Sequence, residues 1–195
     1  VLSVYKLHMS KNGLTISLNE VLFYFTRAGF GVNASIGVSE DFARSNIWIA
    51  QNGFDPSECS LLALDNLDSQ TSSLSIQFEK TGDGSHLFCP EDKVLSAIEA
   101  SVSCVDWLEF NGLDGDLKLT NVDSPLLVVS ALGANQCTGI QVSWTDKSNN
   151  HYEVNLKDDI EWEIISSSEA PIELSNYADI HISAFDVNNK TSISN

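Results

Sequence analysis

The chain has 195 residues, 43% hydrophobic and 19% charged, a composition that excludes a disordered protein and suffices for a domain with its own core. Ten Lys and Arg against 27 Asp and Glu leave a formal net charge of −17. That balance offers no basic footprint for a nucleic acid and is repelled by an anionic membrane surface, so neither partner is expected.

Val1 to Met9 shows no uninterrupted apolar core and no small-residue cleavage site, so no signal peptide is expected and the cytoplasm is the expected compartment. No run approaches the ~18 apolar residues needed to span a bilayer. Cys59, Cys89, Cys104 and Cys137 are scattered without a CxxC, and read as reduced, buried thiols rather than a disulfide framework.

After an extension over residues 1–16, Ser17-Leu18-Asn19-Glu20 forms a capping box, because the hydroxyl and the carboxylate three residues on can satisfy each other's orphan amides. Val21, Leu22, Phe25 and Ala28 follow at helical spacing, and Gly29 and Gly31 read as the stop and as a tight connection to the next helix. That second helix is expected over 38–51, closed by Asn52-Gly53. Asp55-Pro56-Ser57-Glu58 starts a third, with a capping Asp followed by Pro at the first helical position. Leu74, Ile76 and Phe78 alternate as a strand, 81–84 is a turn, and Pro90 opens a helix carrying Val94, Leu95, Ile98, Val102 and Val105.

Beyond Gly112 the pattern turns to strands. Leu117 and Leu119 alternate, Ser124-Pro125 starts a short apolar helix, and Gly133 stops it. Residues 140–145, 151–156 and 160–165 alternate as three consecutive antiparallel strands, with Trp144 and Trp162 on the buried face beside Ile140 and Ile164. Ile180 and Ile182 mark a last strand before a polar tail, 188–195. The expected fold is therefore α+β in one domain: a helical part over 17–112, then a mostly antiparallel sheet over 113–187.

Gly29 to Ala34 spells G-x-G-x-x-A, but a helix precedes it where a dinucleotide site needs a strand. No cofactor and no metal is expected: His86 and Cys89 lack a second ligand pair, and 65–68 and 114–116, which read as carboxylate-rich loops, lack the calcium-loop spacing. His151 with Glu153, and Asp179 with His181, each share one side of a strand and would converge were those strands neighbours. The chain's two arginines, Arg27 and Arg44, flank the glycine-rich junction. Guanidinium grips carboxylate or phosphate in two-pronged fashion, so Arg27, Gly29, Gly31, Glu40 and Arg44 form the candidate ligand site. The bland alternative has both arginines pairing with Glu20, Glu40 or Asp41.

The run Ser17-Leu18-Asn19-Glu20, Arg27-Ala28-Gly29-Phe30-Gly31, Ser39-Glu40-Asp41-Phe42-Ala43-Arg44 and Trp48 resembles an uncharacterised bacterial family of proteins of about this length, most clearly over residues 17–53. Its glycine-rich connection is richer in arginine than this one. The resemblance implies no mechanism, but it falls on the same junction. The leading expectation is a protein that binds a small anionic metabolite or serves as an enzyme-associated subunit. The alternatives are a small-molecule enzyme using carboxylates or histidines as acid and base, and an acidic interaction protein that docks a protein partner.

Overall fold

The structure is a computed structural model that describes residues 7–9, 14–82, 84–91, 93–112, 115–157, 162–166 and 170–185. A small antiparallel hairpin, β1 (Leu7–Met9) and β2 (Leu14–Ile16), precedes three helices: α1 (Leu18–Gly31), α2 (Ile36–Gln51) and α3 (Pro56–Asp68). Their starts follow local chemistry. Both bonds of the Ser17/Glu20 capping box form, Ser35 caps α2, and Asp55 caps α3 ahead of Pro56. Asn52 ends α2, and Gly53 turns the chain at φ 85°, a left-handed conformation natural to glycine.

Strands then interleave with helices: β3 (Ser72–Ser73), β4 (Gln77–Lys80), β5 (Gly84–Phe88), β6 (Val94–Leu95), α4 (Ala97–Asn111), β7 (Asp116–Val122) and α5 (Pro125–Ala134). The chain closes with β8 (Ile140–Thr145), β9 (His151–Leu156), β10 (Trp162–Ser166), a 3-10 turn at Ile172–Leu174, and β11 (Ala178–Ala184). Nine strands make one mixed sheet in the order β10-β9-β8-β11-β7-β5-β4, with β6 joined to β7 and β3 to β6. Most pairs are antiparallel, while β3–β6, β5–β7 and β6–β7 are parallel. The architecture is α+β, as the patterning predicts, with three corrections in its first half.

Val94 and Leu95 belong to a strand, not to a helix opened by Pro90; α4 begins after Ser96, whose hydroxyl accepts the Ile98 amide. Leu74 and Ile76 lie outside any strand, and β4 is exposed throughout, Phe78 included. Residues 65–68 are the last turn of α3 rather than a loop. The second half agrees more closely. β8, β9 and β10 are consecutive antiparallel strands, and Ile140, Val142 and Trp144 are buried on one face with Ile164 partly buried. Ile160, Glu161, the Trp162 side chain and the 188–195 tail lie outside what the structure describes.

The helices cover one face of the sheet. α1 packs on α2, and α2 and α4 pack on α5. α5 is the centre of this layer: residues 125–132 are all buried. At Gly133 an added Cβ would overlap the Trp48 indole of α2, so the close approach of the two helices requires glycine there. The sheet's other face keeps its polar side chains, the half-open arrangement natural to antiparallel sheets.

Candidate functional site

The helical junction singled out by the sequence has a definite geometry. Gly29 and Gly31 lie in the last turn of α1, and the connection proper is residues 32–35. Gly29 is buried against α2, where a Cβ would stand 3.1 Å from the Ser39 side chain, while Gly31 faces open space. At about 100° per residue, Arg27 lies about 200° around α1 from Gly29, and Arg44 about 140° around α2 from Ser39. Both arginines therefore stand away from the α1–α2 contact. Arg44 pairs with Asp41 at 2.5 Å and Glu40 at 3.9 Å on its own helix. Arg27 lies 5.1 Å from the centre of the Phe23 ring. The structure thus joins Glu40 to Arg44 and Gly29 to Ser39, and it leaves the two guanidinium groups apart.

A second grouping appears on the open sheet face, where pairing joins residues that are far apart in sequence. His86 of β5 is in register with Lys118 of β7, and Lys118 with His181 of β11. The row continues to Ser143 of β8 and Glu153 of β9. Neighbouring strands lie about 4.8 Å apart, so three nitrogen side chains from three strands stand side by side. His181 Nε2 lies 3.1 Å from Asp116, Lys118 lies 3.2 Å from Asp179, and the imidazole of His86 hydrogen-bonds Thr120 at 2.7 Å. Asp179 is fixed by a bulge in β11 and accepts the Asn121 amide at 2.9 Å. His151 with Glu153 and Asp179 with His181 do share this face, but β8 separates their strands, and His151 bonds Thr145 instead. The Lys118–Asp179 ion pair and the His181–Asp116 contact are both about half exposed. Exposed pairs of this kind contribute only about 0–1 kcal/mol each.

A third grouping is buried. Asp123 follows β7 at its carboxyl end and accepts the Ala97 amide at the start of α4, at 2.8 Å. Burial raises its pKa to about 7, against the lowering effect of Ala97, Ser72 and Asn66. The Ser72 hydroxyl and Asn66 amide face this carboxylate, yet neither closes a bond of normal geometry: Ser72 Oγ, Asn66 Nδ2 and Asp123 Oδ2 have no partner among the described residues. Tyr177 ties the knot from β11's side, donating its hydroxyl to Asn66 Oδ1 and its amide to the Asp123 carbonyl. In parallel-sheet folds, anions are commonly held at helix N-termini beyond the strand ends. Here the chain's own carboxylate occupies that place.

Among the described residues, no three His, Cys, Asp or Glu side chains gather as metal donors, and no helix is long and apolar enough to cross a membrane. Cys59, Cys89 and Cys104 are buried free thiols and Cys137 a half-buried one. Burial pushes Cys59 up to about 12 and Cys104 and Cys137 also upward, which makes them poor nucleophiles. Sequence reasoning weighs His86 and Asp116 only as metal ligands and passes over Lys118, because no local spacing announces a row that strand pairing assembles across almost a hundred residues.

A layer of helices over one face of a mixed sheet, with a polar open face opposite, defines the class. No family model matches the chain, and no curated protein does. Among solved structures, the fold is similar to malate dehydrogenase from Pyrococcus horikoshii OT3, with TM-score 0.52, 9% identity, and 80% of this chain aligned to 51% of that one. It is similar to a putative malate/lactate dehydrogenase from E. coli at TM-score 0.52 and 9% identity, over 76% of this chain and 48% of that one. Malate dehydrogenase from Entamoeba histolytica matches at TM-score 0.52 and 9% identity, over 80% and 50%. The chain spans about half the length of these proteins, and at this identity the likeness is one of fold.

Proposed function

We propose that this domain binds a small anionic molecule, a short carboxylate in the first instance, on the open face of its sheet. The observation that carries the reading is the row His86–Lys118–His181, three register-adjacent nitrogen side chains in a chain of net charge −17. Lys118 supplies a charge-assisted hydrogen bond to the ligand and His181 a ring N–H donor. Asp116 and Asp179 hold the two side chains in place until the ligand arrives. Malate and lactate, for which the structurally similar dehydrogenases are named, belong to this ligand class and are the first compounds to try. A second reading, an enzyme, is favoured by the His181–Asp116 contact, since an imidazole oriented by a carboxylate is a common arrangement for an acid or base group.

Calorimetric titration with malate, lactate, succinate and phosphate tests the proposal. Lys118→Ala and His181→Ala are each expected to weaken the best ligand by about tenfold or more, the equivalent of one strong charged contact. Arg44→Ala is expected to leave that affinity within about twofold, because Arg44 stands on α2, in the helical layer and not in the row of sheet residues. The opposite pattern, loss with Arg27→Ala or Arg44→Ala and none with Lys118→Ala, returns the site to Arg27, Gly29, Gly31, Glu40 and Arg44. Absence of heat with every compound at millimolar concentration ends both readings.

A further inference from the structure

The acidic residues are unevenly spread along the chain. Residues 1–39 contain a single acid, Glu20, beside Lys6, Lys11 and Arg27; the other 26 acids all follow. α1 lies in this acid-poor segment, and it is apolar on two sides. Val21, Phe25, Ala28 and Gly29 fall on the side that meets α2, with Val21 and Gly29 buried. On the other side stand Phe23, Tyr24 and Phe30, which are 53%, 58% and 63% exposed. Ile36, at the start of α2, is 59% exposed. Helix geometry places residues 20, 23, 24, 27, 30 and 31 within about 120° of α1's surface. Their spacing of three, four and seven is that of a helix-pairing seam.

We infer that this outer face of α1 docks against the same face of a second copy of the chain, the two helices running antiparallel about a two-fold axis near Phe23 and Tyr24. Charge selects this occupant. The seam carries two charges, Glu20 and Arg27, placed symmetrically about that axis. Antiparallel pairing therefore sets Glu20 of each copy against Arg27 of the other, an isologous and closed arrangement. A parallel pairing sets like charge against like. Approach through most other surfaces brings together two bodies that carry the 26 remaining acids each, and their repulsion disfavours it. The seam is prepared for contact in detail. Arg27 lies over the Phe23 ring, Phe23 meets Tyr24 edge to face with 5.6 Å between ring centres, and Gly31 has nothing near its Cβ position. In its capping box Glu20 accepts from Ser17 through Oε2, and Oε1 carries no bond in that box.

Sedimentation equilibrium on the full chain tests this. A dimer is expected at about 100 μM protein. Arg27→Glu places four acids along the seam, and Phe30→Asp puts a charge in its apolar part; each is expected to raise the dissociation constant at least about tenfold. Exchanging the charges, Glu20→Lys together with Arg27→Glu, is expected to recover about tenfold of the loss from Arg27→Glu alone. A chain that stays monomeric overturns the inference. So does a dimer that either single variant leaves intact, or a charge exchange that recovers nothing.

Discussion

α1 and α5 are both apolar on more than one side, and the fold treats them oppositely. From Pro125 to Leu132, α5 has no exposed residue, because α2, α3 and α4 pack on it and its side chains share one core with those of the sheet. α1 has a partner on one side, α2, and leaves three aromatic rings in water on the other. A helix that is hydrophobic all round is normally a buried one. The fold honours that rule for α5 and leaves it open for α1. The difference teaches that apolar periodicity reports how many sides of a helix call for cover, and not whether a single chain provides it.

The largest effect belongs to the covered helix. Leu132 is fully buried in α5, and Leu132→Ala is expected to cost about 2–5 kcal/mol, measured by urea unfolding, since neighbouring side chains fill the cavity only partly. A cost below about 1 kcal/mol would mean that α5 is not the centre of the layer and would erase the contrast with α1.

The next effect concerns Asp123, two residues before α5, which joins β7, α3 and the start of α4. Burial raises its carboxyl to about 7 in the folded protein, against about 3.9 for an unfolded chain. Between those values the folded state binds more protons than the unfolded one. Stability from this group is therefore greatest at low pH and falls as pH rises from about 4 to about 7, by at most on the order of 1.4 kcal/mol for each pH step of one across that window. Among the described residues, the groups facing this carboxyl are uncharged: α3 offers Asn66, β3 Ser72 and α4 the Ala97 amide, with the Tyr177 phenol one bond away on Asn66. Asp123→Asn keeps an acceptor for Ala97 and removes the charge. Its urea midpoint is expected to be flatter between pH 4 and 7 than that of the wild type, and an unchanged slope would show that Asp123 does not titrate in this window.

These sites were unequally legible in the sequence. Cap chemistry is local, so Ser17 with Glu20 and Asp55 with Pro56 each mark a helix start within one residue of the observed one; at α5 Pro125 in the first position marks the start, while the Ser124 hydroxyl donates to the Cys59 carbonyl. Alternation is local too, and β7, β8 and β9 fall where period two places them. β6 was hidden because two residues are too few for a period, and Val94 and Leu95 extend the helical spacing of Ile98 and Val102 backwards. Their true partners, Ser72, Ser73 and Val122, are distant in sequence. The glycines were half legible. α1 ends at Gly31, as their reading as a stop expects, whereas Gly29 serves close packing against Ser39, and sequence gives both roles the same letter. The order of the sheet, with the last strand β11 inserted between β8 and β7, is likewise set by pairing that no local pattern carries.

The smallest effect sharpens the comparison most. Phe30 is 63% exposed on the outer face of α1. In a monomer, Phe30→Ala removes a ring that gains little by folding and substitutes the best helix former, so the unfolding free energy is expected to stay within about 0.5 kcal/mol of wild type. The same change in α5 would be severe, and the gap between the two measures what cover contributes to equally apolar side chains. Protein concentration separates the roles. If α1 is covered by a second copy, wild-type stability rises with concentration by mass action, whereas the Phe30→Ala protein shows a weaker rise and matches wild type when both are dilute. Urea midpoints at micromolar and at hundred-micromolar protein are the measurement. A loss of about 2 kcal/mol or more that persists at the lowest concentration would show that Phe30 is packed within its own chain, and α1 would then belong with α5 rather than opposite it.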